Sequence, residues 1–123
     1  MRHMNVQGEL RRILAEALSP VEVRVNVPAE RPAELVTVRR RDGAAQRRVY
    51  EDSSIEVMCW AATEQRAYDL MEQARAALSA LEFADGFADV SEKTVRSDYD
   101  LVGKSPRWYA LFSLKTYLPT NNS

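Results

Sequence analysis

An α+β fold is what this 123-residue chain predicts: a mainly antiparallel or mixed β-sheet with an N-terminal helix and one long central helix packed on one face. Three observations carry that expectation. Apolar residues recur at helical spacing near the start and again in the middle of the chain, and polar and apolar residues alternate strictly from Val21 to Val27. The run Arg107–Leu118 is the strongest strand signal present. The signals fall in the order α-β-β-β-α-β-β, and neighbouring strands interrupted by one helix build a sheet with its helices on one side.

The elements follow in turn. Val6, Leu10, Ile13, Leu14, Ala17 and Leu18 form one stripe of an amphipathic helix of about three turns, stopped by Ser19-Pro20. Val21–Val27 places four valines on one side and Glu22, Arg24 and Asn26 on the other, the mark of a half-buried strand. Pro28 and Pro32 bracket a connector that cannot donate to a ladder. A second strand spans Leu35–Arg41, and Asp42-Gly43 signals the turn after it, with Ala44–Gln46 lengthening the loop. The third strand covers Val49 and Tyr50 or resumes at Ile55, after the polar run Glu51–Ser54. Ile55–Ala61 is apolar on nearly both faces, as a central covered strand would be.

Thr63 is placed to cap the central helix, with Glu64 where the helix dipole favours an anion. Ala67, Leu70, Met71, Ala74, Ala77, Leu78 and Leu81 then mark a helix over 63–81, and Phe83–Phe87 breaks it. A weak strand follows at Val90–Ser97, and Asp98–Pro106 reads as loop. In the last strand Trp108, Ala110, Phe112, Leu114 and Leu118 take one face, while Tyr109, Leu111, Lys115 and Tyr117 take the other.

With 46% hydrophobic and 28% charged residues the chain has the usage of a globular protein. We expect a single domain over 1–123, its core at about 6–118 and its ends, 1–5 and 119–123, loose. The net charge of −1 exerts no overall pull on nucleic acid or anionic membrane, so charge recognition must come from local clustering. Cys59 and His3 are each the only residue of their type, which rules out an intramolecular disulfide and leaves a His/Cys zinc site short of ligands. Cys59 lies inside a strand-like run, where a thiol behaves as a small buried hydrophobe rather than a nucleophile. No run approaches the roughly 20 apolar residues of a membrane helix, and the start has no signal-peptide pattern, so a cytoplasmic site of synthesis and assembly is expected.

No catalytic motif is visible. The four glycines, Gly8, Gly43, Gly86 and Gly103, are scattered, so no phosphate loop is formed. Asp98 and Asp100 are spaced for acid–base work, and Asp85, Asp89 and Asp98 for a shared metal, only if the fold converges them. Their surroundings read as solvated loop. We therefore expect no enzyme, no cofactor and no metal.

Five arginines, Arg39, Arg40, Arg41, Arg47 and Arg48, gather around one hairpin, more than a core can absorb. Such a cluster docks carboxylates of a protein partner bidentately, binds phosphates in a salt-dependent way, or guards a solvated edge. Asp42, Glu51 and Asp52 dilute the positive potential and weigh against nucleic acid. Tyr109 and Tyr117 on the second face of the last strand need a cover, either the 83–104 segment or a neighbouring subunit, and Tyr and Arg are what interface centres favour. The candidate interface is thus Arg39, Arg40, Arg41, Arg47, Arg48, Tyr109 and Tyr117, with the segment from Phe83 to Lys104 a further candidate from its exposure and charge.

Taken in order, the N-terminal helix, Val21–Val27, Pro28-Ala-Glu-Arg-Pro-Ala-Glu-Leu-Val-Thr-Val-Arg-Arg40, Ile55-Glu-Val-Met-Cys-Trp-Ala61, Gln65-Arg-Ala-Tyr-Asp-Leu70 and Arg107-Trp-Tyr-Ala-Leu-Phe112 resemble the tail-terminator and tail-completion proteins of siphophages and prophages, over about residues 6–118. The resemblance implies a small protomer of a homo-oligomeric ring, commonly a hexamer, at the head-proximal end of the virion tail. It would cap the tube of major tail protein and meet the head–tail connector proteins, with DNA passing through the ring without sequence-specific binding and no membrane involved. A head–tail connector of the same neck region and a nucleic-acid module using the Arg39–Arg48 hairpin are the alternatives.

Overall fold

The structure is a computed structural model and describes residues 5–46 and 50–117. Its elements are α1 (Val6–Ala17), β1 (Glu22–Arg24), β2 (Leu35–Gln46), β3 (Tyr50–Trp60), α2 (Glu64–Ser79), a 3-10 turn (Ala80–Phe83), β4 (Phe87–Ser97) and β5 (Arg107–Tyr117). The five strands form one mixed sheet in the order β1-β2-β3-β5-β4, parallel between β1 and β2 and antiparallel elsewhere. The α+β class and the element order are those the sequence predicts.

Both helices start where a side chain supplies the missing acceptor. The Asn5 side chain accepts the Gly8 N–H at 3.0 Å, and the Thr63 hydroxyl accepts the Arg66 N–H at 3.1 Å. Val6, Leu10, Leu14 and Leu18 from α1 and Ala67, Leu70, Met71, Ala74 and Leu78 from α2 are buried against one face of the sheet. That face is built by Val36 and Val38 of β2, Ile55, Val57 and Cys59 of β3, and Ala110, Phe112 and Leu114 of β5. Charged pairs tie the helices to the strands beside them. Arg66 holds Glu34 bidentately at 2.7 and 3.1 Å, and Arg75 bridges Glu72 of its own helix to Glu92 of β4. No helix among the described residues is long and apolar enough to cross a membrane.

Four boundaries differ from expectation, each for a physical reason. β1 is only Glu22–Arg24, because its parallel partner begins at Leu35 and pairs just three residues; Val23 is buried while Val27 is half exposed. Asp42-Gly43 is not a turn: β2 runs through it to Gln46, with a bulge at Arg41 that brings Asp42 into register with Ser54. The connection therefore falls at 47–49, outside the described residues, together with Arg47 and Arg48. β3 passes unbroken through Glu51–Ser54, since cross-strand ion pairs engage its two acids: Arg40 with Glu51 and Lys115 with Asp52, each at 2.9 Å. β4 starts at Phe87 rather than Val90, and its two bulges, between Phe87 and Asp89 and between Glu92 and Thr94, scramble the alternation that would have announced it. Gly86, with φ 92°, makes the left-handed corner that leads into it.

At one end of the sheet the connectors close over Trp60. Its Nε1–H donates to Asp100 at 2.9 Å, and the guanidiniums of Arg107 and Arg31 lie 5.6 and 6.0 Å from its ring. The other oxygen of Asp100 accepts the backbone N–H groups of Val102 and Gly103, each at 3.0 Å. These donors, the Gly103 amide foremost and then Trp60, hold the Asp100 carboxyl below the usual aspartate range. A Cβ on Gly103 would lie 2.6 Å from Asp100 Oδ2, so only glycine permits this cradle.

Three outcomes are expected. Phe112→Ala empties a fully buried aromatic site and lowers stability by about 3–5 kcal/mol in urea unfolding. Burial pushes the Cys59 thiol up to about 12, so a disulfide-exchange reagent at pH 8 labels it only in the unfolded protein. Asp100 has a depressed folded-state value, so its contribution is present above the unfolded aspartate value, about 3.9, and is lost as pH falls through the folded one. The gap in urea midpoint between wild type and Asp100→Asn is therefore wide at pH 7 and narrows in acid.

Candidate interface on the open sheet face

Alternation along the strands assigns a second set of side chains to the face away from the helices. β2 contributes Leu35, Thr37 and Arg39, which stand in register with Trp60, Met58 and Glu56 of β3. Those in turn face Arg107, Tyr109 and Leu111 of β5, and Tyr109 and Leu111 face Arg96 and Thr94 of β4. Among the described residues no helix covers this face. The Trp60 end is capped by the connectors; the middle is open.

In that open middle lies a shallow cleft bordered by Arg39, Arg40, Arg41, Glu56, Arg96 and Tyr109. Arg96 lies with its guanidinium carbon 4.3 Å from the Tyr109 ring centroid. Stacking on an aromatic face leaves the N–H edges of a guanidinium free for carboxylate or phosphate oxygens. The β2 bulge keeps Arg41 near this face, where it reaches Glu56 at 4.0 Å. Arg39 stands directly opposite Glu56 and makes no ion pair among the described residues. With the Arg40 guanidinium engaged by Glu51, the three others meet one carboxylate, with Asp42 beyond the bulge as the next acid, and the cleft carries a local positive excess.

The predicted interface residues separate. Arg39 and Arg41 join this cleft, and Tyr109 forms its floor, only 8% exposed because Arg96 lies over it. Arg40 pairs in register with Ile55 of the helix-covered face; its N–H donates to Gln7 of α1 at 2.8 Å and its guanidinium is engaged by Glu51. It anchors α1 to the sheet. Tyr117 sits at the far end of β5, half exposed, with its ring 5.5 Å from that of Tyr50. Arg47 and Arg48 lie outside the described residues.

Arg96 and Glu56 are the members that sequence reasoning missed. Nothing local marks them: they lie on β4 and β3 and reach the cleft only through pairing with β5. Exposed apolar residues also stand at two turns within the 83–104 segment. Leu101 and Val102 project from the Asp100 cradle, and Phe83, 89% exposed, projects from the 3-10 turn. Three of the residues weighed for chemistry are engaged or buried elsewhere. Asp98 pairs with Arg107 at 2.9 Å, Asp100 holds its own loop, and Cys59 is fully buried on the helix face.

No protein-family model and no curated protein matches the chain. Solved structures of similar fold include two from phage-type particles. One is a chain in the virion of a native gene transfer agent particle, with a TM-score of 0.54 and 11% identity over 90% of this chain and 91% of that one. The other is the gp17 protein of bacteriophage SPP1, with a TM-score of 0.50 and 15% identity over 98% of this chain and 95% of that one. At such identities the likeness is one of fold.

Proposed function

We propose that this chain is a structural protein of a phage-type virion, a tail terminator whose copies close into a ring at the head-proximal end of the tail tube. The ring, hexameric by the resemblance, caps the tube of major tail protein and presents a surface to the connector proteins of the neck. DNA passes through it without being read. The observation that carries this reading is the fold shared, over nine-tenths or more of the chain, with proteins of a gene transfer agent virion and of a bacteriophage. The order of elements quoted for the resemblance runs in the same direction. The open face supplies what an assembly subunit needs, a sheet surface that carries charge and aromatic groups and that no helix among the described residues covers. Arg39 and Arg41 are its docking side chains, and Tyr109 positions Arg96 among them.

A ring closes when one patch on each subunit meets a different patch on the next, at an angle that returns to the start. Capping then needs only that one rim of the ring copy the docking surface of the tube while the other does not. No bond is made or broken.

Solution mass measurement with negative-stain imaging tests the first half: the expected result is a ring with a central hole wide enough for duplex DNA. Adding the ring to polymerising tail-tube subunits tests the second, with tubes stopping at shorter, uniform lengths. A ring that leaves tube length unchanged indicates a connector of the same neck region. A monomer at high concentration that also leaves tubes unaltered removes the proposal.

A further inference from the structure

A ring of identical subunits needs a second patch that fits the first, and the chain carries one. The 3-10 turn that ends α2 presents Glu82, Phe83 and Asp85 to solvent. Phe83 is 89% exposed, and neither acid has an ion-pair partner among the described residues. Its backbone is nevertheless held firmly. Leu81 and Phe87 on either side are buried, the Ala84 N–H donates to Leu81 at 3.0 Å, and the Tyr117 N–H donates to Gly86 at 3.0 Å. An ordered turn that displays an aromatic ring between two free carboxylates is costly to leave in water and is shaped as an anchor.

We infer that this turn of one copy seats in the open-face cleft of the next. The chemistry is complementary term by term. Arg39 and Arg96 lack carboxylate partners and match Glu82 and Asp85, while Met58 and Leu111, half-buried beside Tyr109, offer the apolar floor that Phe83 lacks. The chain cannot satisfy itself. The turn is fastened at the Tyr117 end of β5, and Tyr109 lies eight residues along that strand, about 27 Å away. The two patches therefore pair only between copies, head to tail, as ring closure requires.

Pairing through the sheet edges is blocked, which leaves side-chain docking as the route. β1 is three residues long, and β4 carries two bulges with the Lys93 side chain at one of them, the devices that keep an edge strand from recruiting another. The near-neutral total charge hides two separated patches of opposite sign, and opposite patches orient copies as they meet.

The inference rests on the ring reading above, and charge swapping separates the two. Sedimentation velocity is run on wild type, on Glu82→Arg/Asp85→Arg, on Arg39→Glu/Arg96→Glu, and on the chain carrying all four changes, with circular dichroism and thermal melting confirming the fold of each. Phe83→Ala, a change at an exposed site, is run beside them. Wild type is expected to assemble, each double variant to need at least tenfold more protein to do so, Phe83→Ala to be weakened, and the fourfold swap to recover assembly. Folded double variants that assemble like wild type, or a folded fourfold swap that does not recover, overturn the contact while the ring stands. A wild-type chain that stays monomeric overturns the contact, and it overturns the ring reading as well only where tail tubes are also left unaltered.

Discussion

The antiparallel pairing of β3 with β5 is the constraint on which everything else in this molecule depends. Eleven consecutive residue pairs run without a register shift from Tyr50 and Tyr117 to Trp60 and Arg107. Because successive strand residues point to opposite faces, that register decides at a stroke which side chains are core and which are surface. Ile55, Val57 and Cys59 meet Phe112, Ala110 and Trp108, and both helices have one apolar face to cover. A slip by one residue would exchange that set for Glu56, Met58, Tyr109 and Leu111 and place a carboxylate beneath the helices. The burial of the aliphatic set excludes the slip, so the same energy that builds the core also assigns the open face.

Irregularity enters only on the strands outside this pair. The bulge at Arg41 keeps two of three consecutive arginines near the open face and leaves Arg40 to bind α1 and Glu51. The two bulges of β4 bend an edge strand and bring Arg96 over Tyr109. A stretch that looks like a uniform basic run is thus divided into one cation engaged on the helix side and two that lie near the open face. Charge count along the sequence says nothing of this division; ladder parity does.

A likeness of fold at 11% and 15% identity shows how little of such a protein its architecture prescribes. One core face and the caps of two helices suffice to hold the sheet, and the opposite face is free to vary. On this chain that face carries a guanidinium stacked on tyrosine at mid-sheet, and an acidic turn bears an exposed phenylalanine at the edge. Neither is needed by the core, and both lie on rigid backbone, which lowers the entropy lost on docking.

The fold was legible to the extent that its signals were local. Helical spacing at Val6–Leu18 and Ala67–Leu81, the Thr63 cap and the alternation of Arg107–Tyr117 each depend on neighbours within a turn or two, and each element stands where its pattern placed it. Polar residues misled where tertiary partners rescue them: Glu51–Ser54 looks like a loop until Lys115 and Arg40 pair with it, and Asp42-Gly43 looks like a turn until Ser53 and Ser54 face it. The arginines were conspicuous in the sequence, which by itself determined that a basic surface with aromatic company exists. Only the tertiary structure decided which arginines compose it, because Arg39, Glu56, Tyr109 and Arg96 come from four strands and meet through a ladder register that no local window contains.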